Sequence, residues 1–253
     1  MSECLLIECG NSRCKWGRLV EDGVDYLGAV AYSELSDAES LAEHWQQAGA
    51  VDEVRVATVT SRAEIEVALS LLQQRTQAVI HRVKPIQDSH GLHLAYQHAD
   101  TLGVDRWLAM LAAVDIYHGH LCVVDCGTAM TLDVVSADGE HLGGQIIPGL
   151  ELMRISLHRG TDLLPKVDAR GPSGLLGRDT NACIAAGTLT ALAGAVNLVL
   201  EELAYLGVIR GIITGGNADN VLPLLHGQWE HRPHLVLEGM AVIGKLEKMG
   251  DAL

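Results

Sequence analysis

Apolar and polar positions in the first part of the chain predict strands that alternate with helices. The opening apolar strand ends in an acid, and residues 10–12 predict a tight turn because Gly and Asn tolerate hairpin backbone angles. A meander followed by alternating strands and helices is typical of α/β layers. The predicted elements here are strands at 5–8, 14–20, 24–31, 54–59 and 78–83 and helices at 36–48 and 62–74.

The same pattern begins again near the middle of the chain, after a helix predicted at 100–117. Val104, Trp107, Leu108 and Leu111 recur at helical spacing and predict a buried stripe on that helix. A second apolar strand then ends in an acid and turns at Gly127-Thr128. The elements predicted from there on are strands at 121–125, 130–135, 143–147 and 209–214, helices at 149–159, 179–206, 218–225 and 240–249, and a separate apolar segment at 235–237.

The two strand ends can be aligned residue by residue. Glu8-Cys9-Gly10-Asn11-Ser12 and Asp125-Cys126-Gly127-Thr128-Ala129 share the order acid, Cys, Gly, polar, small, 117 positions apart. A match in the same strand-turn-strand context half-way along the chain indicates a duplication. We therefore expect two lobes, residues 1–118 and 119–253, with a cleft between them. The loop at 160–177 is long enough to serve as a lid or a partner contact.

Composition and charge narrow the function. The 253 residues carry a formal net charge of -14, and the sequence shows no basic stripe of the kind that binds nucleic acid. A nucleic-acid partner is therefore not expected. No stretch suggests a signal peptide or the roughly 18 apolar residues of a membrane span, so no membrane association is expected. The six cysteines form no Cys-x-x-Cys pair, which fits a reducing cytoplasm.

The paired hairpins suggest phosphate binding. Each turn offers backbone N–H groups and a hydroxyl or amide to phosphate oxygens, and the carboxylates of Glu8 and Asp125 can hold the cations that neutralise a triphosphate. No Walker or dinucleotide-binding motif is present. At the end of the strand at 209–214, Gly215 and Gly216 would let an adenosine approach the backbone. Read singly, each of these features is equally an ordinary turn.

Together these motifs resemble the acetate and sugar kinase, Hsp70 and actin superfamily, and within it closely resemble the type III pantothenate kinases. The resemblance implies an α/β fold of duplicated ribonuclease H-like (actin-like ATPase) domains with a central nucleotide cleft. The motifs that carry it follow the family's order over nearly the whole chain: Glu8 through Lys15, Gly103-Val104-Asp105-Arg106, Asp125 through Thr131, Gly143 through Gly149, Thr180 and Thr214-Gly215-Gly216.

The resemblance implies ATP-dependent phosphorylation of pantothenate to 4'-phosphopantothenate, the first step of coenzyme A biosynthesis. Asp105 matches the general base for the pantothenate hydroxyl, and Arg106 would clamp the substrate carboxylate. Without the resemblance, this pair would be a helix-end acid beside a solvated arginine. The residues that match the pantothenate pocket are Tyr96, Gly103, Val104, Asp105, Arg106 and Thr180. Those that match the ATP contacts are Glu8, Cys9, Gly10, Asn11, Ser12, Arg13, Cys14, Lys15 and Thr128, to which Gly215 and Gly216 are added.

The resemblance also implies cofactors and partners. Asp125 matches the ligand of an activating monovalent cation, K+ or NH4+, and Glu8 is expected on the Mg2+ side of the nucleotide. The resemblance implies homodimers with the substrate pocket close to the dimer interface, and the expected location is cytoplasmic. Glu8 and Ser12 depart from the family's Asp and Thr, so the longer acid puts the magnesium-side geometry in doubt.

Two other readings compete with this one. A regulatory or accessory protein could keep the fold and bind nucleotide without transferring phosphate, and Glu8 is the feature that favours it. A kinase for a sugar or a short acid is the second, which the substrate-side run at 103–106 disfavours. A pure scaffold would leave the paired acids unexplained.

Overall fold

The structure, a computed structural model, describes residues 3–21, 23–168 and 174–249; part of the loop predicted at 160–177, residues 169–173, lies outside them. The strands are β1 (Cys4–Cys9), β2 (Arg13–Val20), β3 (Gly23–Ala31), β4 (Glu53–Thr58), β5 (Val79–Arg82), β6 (Asp88–Ser89), β7 (Leu92–His93), β8 (His120–Cys126), β9 (Ala129–Val135), β10 (His141–Pro148), β11 (Ile209–Thr214) and β12 (Trp229–His231). The helices are α1 (Ala38–Gln46), α2 (Ala63–Thr76), α3 (Val104–Ile116), α4 (Leu150–Gly160), α5 (Thr180–Glu202), α6 (Ala218–Val221) and α7 (Leu235–Met249).

The first sheet has the order β3-β2-β1-β4-β5. Its first three strands form the antiparallel meander, whereas β1, β4 and β5 run parallel and are joined through α1 and α2. Parallel strands need such crossovers, which is why the chain alternates here between strand and helix. The carboxylate of Asp37 begins α1 by accepting a hydrogen bond from the backbone N–H of Ser40 at 2.8 Å.

The second sheet repeats the first. Its order is β10-β9-β8-β11-β12, with an antiparallel meander of β8, β9 and β10 and parallel pairs on the other side of β8. Each strand therefore has a counterpart at the same place in the other sheet. This confirms the predicted duplication and the α/β class, because the hairpins at residues 8–15 and 125–131 occupy equivalent positions.

Each sheet has its own core of aliphatic side chains. In the first, Leu5, Ile7 and Val56 from the sheet pack against Leu41 and Trp45 of α1, and α2 covers the same face. The second core is built in the same way from β8, β9 and β11 against α5. The predicted buried stripe of α3 is confirmed: Val104, Trp107, Leu108 and Leu111 are all buried.

The chain divides into two compact units, Met1–Ile116 with His234–Leu253, and Tyr117–Pro233. The expectation of a second lobe at 119–253 is therefore corrected at its C-terminal end. Helix α7 packs against α3 and the first sheet, and a Cβ at Gly239 would lie 2.1 Å from the carbonyl oxygen of Leu108. The segment at 235–237, predicted to be separate, is the start of α7.

Several predicted boundaries also shift. Helix α3 begins at Val104 rather than at residue 100, because Ala99–Thr101 is a 3-10 turn and Leu102 is extended. Helix α5 ends at Glu202 before another 3-10 turn, Ala204–Leu206. The helix predicted at 218–225 is the short α6 followed by the 3-10 turn Leu222–Leu224. The short strands β6, β7 and β12 lack apolar runs and were not predicted.

Helix α5 is, among the described residues, the one helix long and apolar enough to cross a membrane, with a mean hydropathy of 1.9 over its most apolar window. This contradicts the expectation that no stretch would reach that length. Its buried face contributes Leu189, Leu192 and Val196 to the second core, so the apolar composition has a packing explanation.

Candidate active site

The first hairpin places an acid and a base side by side at its entrance. Glu8 on β1 pairs in register with Lys15 on β2, and the Lys15 Nζ lies 3.4 Å from the Glu8 carboxylate. The backbone N–H of Gly10 donates to the carbonyl of Arg13 at 3.1 Å and closes the turn. Asn11, Ser12 and Arg13 at the tip are exposed, where N–H groups and the Ser12 hydroxyl are accessible to an anion.

The pKa of Glu8 is raised above its ordinary value. Burial is the largest cause; the Lys15 ammonium opposes it, and the negative charge of Asp105 raises the pKa further. Glu8 and Asp105 are therefore close enough to interact within one unit. The buried Glu8 Oε2 has an ion pair with Lys15 but accepts no hydrogen bond among the described residues. A hard divalent cation such as Mg2+ suits such a carboxylate oxygen.

The start of α3 brings together four of the predicted substrate residues. Asp105 Oδ1 accepts a hydrogen bond from the backbone N–H of Arg106 at 2.8 Å. Arg106 is buried, and its Nη1 donates to the hydroxyl of Tyr96 at 2.9 Å while the guanidinium lies 5.7 Å from the centre of that ring. A Cβ at Gly103 would lie 2.6 Å from Asp105 Oδ1, so a larger residue there would displace the carboxylate from this position.

The three neighbouring side chains at the start of α3 differ in their exposure and contacts. Val104 is buried at the first position of the helix. Asp105 is half-buried, which leaves its carboxylate able to meet a ligand. Arg106 carries a charge into the interior, and the contact with Tyr96 orients it.

Around the second hairpin, three backbone segments converge on Asp125. Gly215 has a φ of 91°, and a Cβ there would lie 2.4 Å from Asp125 Oδ1. The backbone N–H of Asn217 donates to the carbonyl of Cys126 at 3.0 Å. Gly149 donates to the carbonyl of Thr128 at 3.0 Å, and a Cβ there would overlap the Gly127 carbonyl oxygen at 2.4 Å.

The two glycines predicted to contact the nucleotide, Gly215 and Gly216, differ in whether the fold requires glycine. Gly215 is required by its left-handed backbone and by close contact. At Gly216, no described atom lies within 4 Å of an added Cβ, so packing imposes no glycine there. Gly149 and Asn217 were not predicted as site residues. The signal for Gly149 was its place directly after a strand and before a helix, and its contact with the turn is visible only in three dimensions.

Thr180 lies in the second unit at the first position of α5, whose N-cap is Asp179. It lines a groove of about 1020 Å³ between α4 and α5 whose surface is mainly apolar, with Pro148, Leu157 and Ile184 among the lining residues. Further exposed apolar side chains lie on β10 and within the loop at 160–177: Ile146, Leu163, Leu175 and Leu176.

No cluster of three or more His, Cys, Asp or Glu side chains suited to a metal is found over residues 3–21, 23–168 and 174–249. A cation held by Glu8 or Asp125 would therefore take most of its ligands from water or from a phosphate, as Mg2+ in nucleotide sites does.

Comparisons with known proteins agree with this arrangement. The family model of type III pantothenate kinase matches residues 4–202. A type III pantothenate kinase from Nitrosococcus oceani is 38% identical over 248 residues, which is 95% of this chain and 93% of the relative. One from Dichelobacter nodosus is 40% identical over 206 residues, 79% and 80% of the two chains.

Solved structures share the fold at low identity. A Campylobacter jejuni protein described as a Baf family transcriptional activator has a TM-score of 0.61 at 19% identity and covers 98% of this chain and 100% of its own. The ethanolamine utilization protein EutJ from Carboxydothermus hydrogenoformans has a TM-score of 0.56 at 12% identity, with 96% and 90% covered. The family match and the curated relatives extend over most of the sequence, and the chain belongs to the type III pantothenate kinase family.

Proposed function

We propose that this chain transfers the γ-phosphoryl group of ATP to the primary hydroxyl of pantothenate and so forms 4'-phosphopantothenate for coenzyme A synthesis. The observation that supports this best is the group formed by Tyr96, Asp105 and Arg106 at the start of α3. It combines a carboxylate for the hydroxyl with a cation for the substrate carboxylate, in a chain whose relatives carry that activity in their name.

The nucleotide is proposed to bind through the two hairpins. The exposed turn at 11–13 and the exposed Thr128 offer N–H and hydroxyl donors, and Lys15 supplies a positive charge for the phosphates. Gly215 packs against the second hairpin, and its strand end is the proposed site of contact with the adenosine. Mg2+ bound near Glu8 would neutralise charge on the β- and γ-phosphates.

The acceptor is proposed to bind at the start of α3. Asp105 orients the pantothenate hydroxyl and receives its proton; phosphoryl transfer needs chiefly placement from this residue. Arg106 pairs with the pantothenate carboxylate while Tyr96 holds the guanidinium in position. Thr180 is included in the proposal because it matches a residue of the family's pantothenate pocket.

A monovalent cation at Asp125, a homodimer and a cytoplasmic location are further parts of the proposal. The groove beside Thr180 supports the dimer. Leu163 and Leu176 are 92% and 89% exposed, and covering such apolar surface with a second copy would remove it from water.

The test is ATP-dependent formation of phosphopantothenate, followed by mass spectrometry with Mg2+ and K+ present, for the wild type and Asp105→Asn. Asp100→Asn is the matched control, because Asp100 is an exposed acid in the turn just before α3. The wild type and the control should make product, and Asp105→Asn should lose turnover by about 10²–10⁴-fold.

A second outcome would favour the regulatory reading. If the wild type binds ATP but phosphorylates neither pantothenate nor a panel of sugars and short acids, the kinase proposal fails. A regulatory protein of the same fold would then be the better proposal, as the structural likeness to a protein described as a transcriptional activator suggests. The first variant to make would be Glu8→Asp, which restores the acid usual in the family.

A further inference from the structure

Two thiols face each other at the base of the first hairpin. Cys9 and Cys14 are the last paired residues of β1 and β2 before the turn, and their Sγ atoms are 3.7 Å apart. Both are buried and both are free thiols. A soft thiol is a poor ligand for Mg2+ or phosphate, so the ATP contacts expected of these two residues would come from their backbone and not from their sulfurs.

The strand geometry suits a bond between them. Gly10 and Arg13 form the next pair and are hydrogen-bonded. Cys9 and Cys14 therefore occupy a non-hydrogen-bonded position, where opposite Cα atoms are about 4.5 Å apart and side chains are closest. That separation lies within the range of about 4.4–6.8 Å that disulfides span. The Sγ atoms would have to approach from 3.7 Å to about 2.05 Å.

The equivalent position in the second unit gives an internal comparison. There Cys126 pairs with Met130, so the duplicated hairpin has one thiol where the first has two. Only the first hairpin can be cross-linked in this way, and it is the one that carries Glu8 and Lys15.

We propose that Cys9 and Cys14 form a reversible disulfide that closes the base of this hairpin and weakens nucleotide binding. With hydrogen peroxide as oxidant, both S–H bonds and the O–O bond break, the S–S bond forms, and two molecules of water leave. A dithiol reductant restores the two thiols by exchange.

The surroundings set the rate of this reaction. Burial, followed by the neighbouring Cys9, raises the pKa of Cys14 well above its ordinary value, and the indole N–H of Trp45 acts in the opposite direction. Because the thiolate is the nucleophile, oxidation should be slow at neutral pH and faster as the pH rises. Access is from the turn, since Asn11, Ser12 and Arg13 are exposed.

The disulfide is expected to weaken nucleotide binding because the two cysteines adjoin Glu8 and Lys15. Glu8 and Lys15 are each adjacent in sequence to one of the cysteines, so drawing the two sulfurs together shifts their side chains. A displacement of about 1 Å in a positioned site can cost about 10²-fold. This part of the inference rests on the proposed function, whereas formation of the bond does not.

The experiment uses the full-length protein, reduced and then treated with hydrogen peroxide at neutral and alkaline pH. Trypsin cuts after Arg13 and Lys15, so the disulfide should join the peptide 1–13 to 14–15, with a mass about 2 Da below their sum. Cys4 shares the first peptide; Cys4→Ala should keep the linked species and Cys9→Ala should lose it. Failure of the wild type to give this species, while the exposed Cys183 is oxidised, would overturn the proposal.

Binding of ATP with Mg2+ is then measured by calorimetry before oxidation, after it, and after reduction. We expect the Kd to rise by at least about tenfold and to recover. Cys14→Ala, compared with its own untreated form, should not respond, and Cys122→Ala, which removes a buried thiol of the second unit, should respond like the wild type. A linked peptide with an unchanged Kd would refute the proposal that the disulfide weakens nucleotide binding. Absence of ATP binding in the reduced protein would refute the proposed function and leave the mass result to decide the disulfide.

Discussion

Replacing Gly215 by alanine should destabilise the second unit and disturb Asp125 at once. The backbone at Gly215 has a φ of 91°, and an added Cβ would lie 2.4 Å from Asp125 Oδ1 and 2.6 Å from the N and C atoms of Cys126. Real Cβ atoms essentially never come within 3.0 Å of another heavy atom, and two of these contacts are backbone that cannot rotate away.

The magnitude follows from two effects. A non-glycine residue held in such a backbone region costs about 1–3 kcal/mol, and overpacking a filled site costs about 1–3 kcal/mol more. A combined loss of about 3 kcal/mol is a large part of the roughly 5–15 kcal/mol that stabilises a domain. For a chain of this size it corresponds to a fall in Tm of about 6–12 °C.

The assay is thermal unfolding followed by circular dichroism, with Gly216→Ala as the matched control. Gly216 has a negative φ, and no described atom lies within 4 Å of its added Cβ, so the control should melt within about 2 °C of the wild type. Equal stability of Gly215→Ala and Gly216→Ala would refute the steric reasoning. If Gly216→Ala keeps its Tm but loses affinity for ATP, the ligand itself approaches this glycine.

Three further predictions rest on other contacts. Glu8→Gln removes a carboxyl whose pKa is raised by folding, so the stability that Glu8 contributes is present below its ordinary pKa of 4.5 and is lost as the pH rises through the raised value. In denaturant titrations, the free energy of unfolding of the variant should therefore rise relative to that of the wild type over this pH interval. A difference in unfolding free energy that does not change with pH would contradict this. Arg106→Lys should raise the KM for pantothenate by about tenfold or more, with a smaller effect on the KM for ATP. Tyr96→Phe removes one hydrogen bond of about 1 kcal/mol and should raise the KM for pantothenate by about fivefold. Equal changes in the KM for both substrates would argue against a role in acceptor binding. Gly239→Ala should lower the Tm by several degrees because its Cβ would overlap the Leu108 carbonyl at 2.1 Å, and an unchanged melting curve would place α7 elsewhere.

The sequence was sufficient for the elements that build the two sheets, with the exception of β12. Alternating apolar runs, capping residues such as Asp37 and the Gly-Asn turn are local signals, and the strands and helices they predict are present. The duplication could also be predicted, since the repeated acid-Cys-Gly sequence keeps its strand-turn-strand context.

Long-range packing was not predictable in the same way. Helix α7 is apolar on most of its surface, so its pattern fits either core, and the contact of Gly239 with Leu108 decides between them. The contacts of Gly149 and Gly215 with the second hairpin join segments that are far apart in the chain. Strand β12, Trp-Glu-His, carries no apolar alternation and forms only beside β11.

The duplicated hairpins differ in the residue that lies across the strand from the acid. The residue opposite Glu8 is Lys15, a cation 3.4 Å away, whereas the residue opposite Asp125 is the neutral Thr131. The first hairpin thus has a built-in positive charge that suits phosphate oxygens. The second pairs its carboxylate with a residue that carries a hydroxyl and no charge, so this partner would not repel a cation proposed to bind at Asp125. We infer that the cross-strand residue, charged in one copy and neutral in the other, distinguishes the two proposed ligand sites.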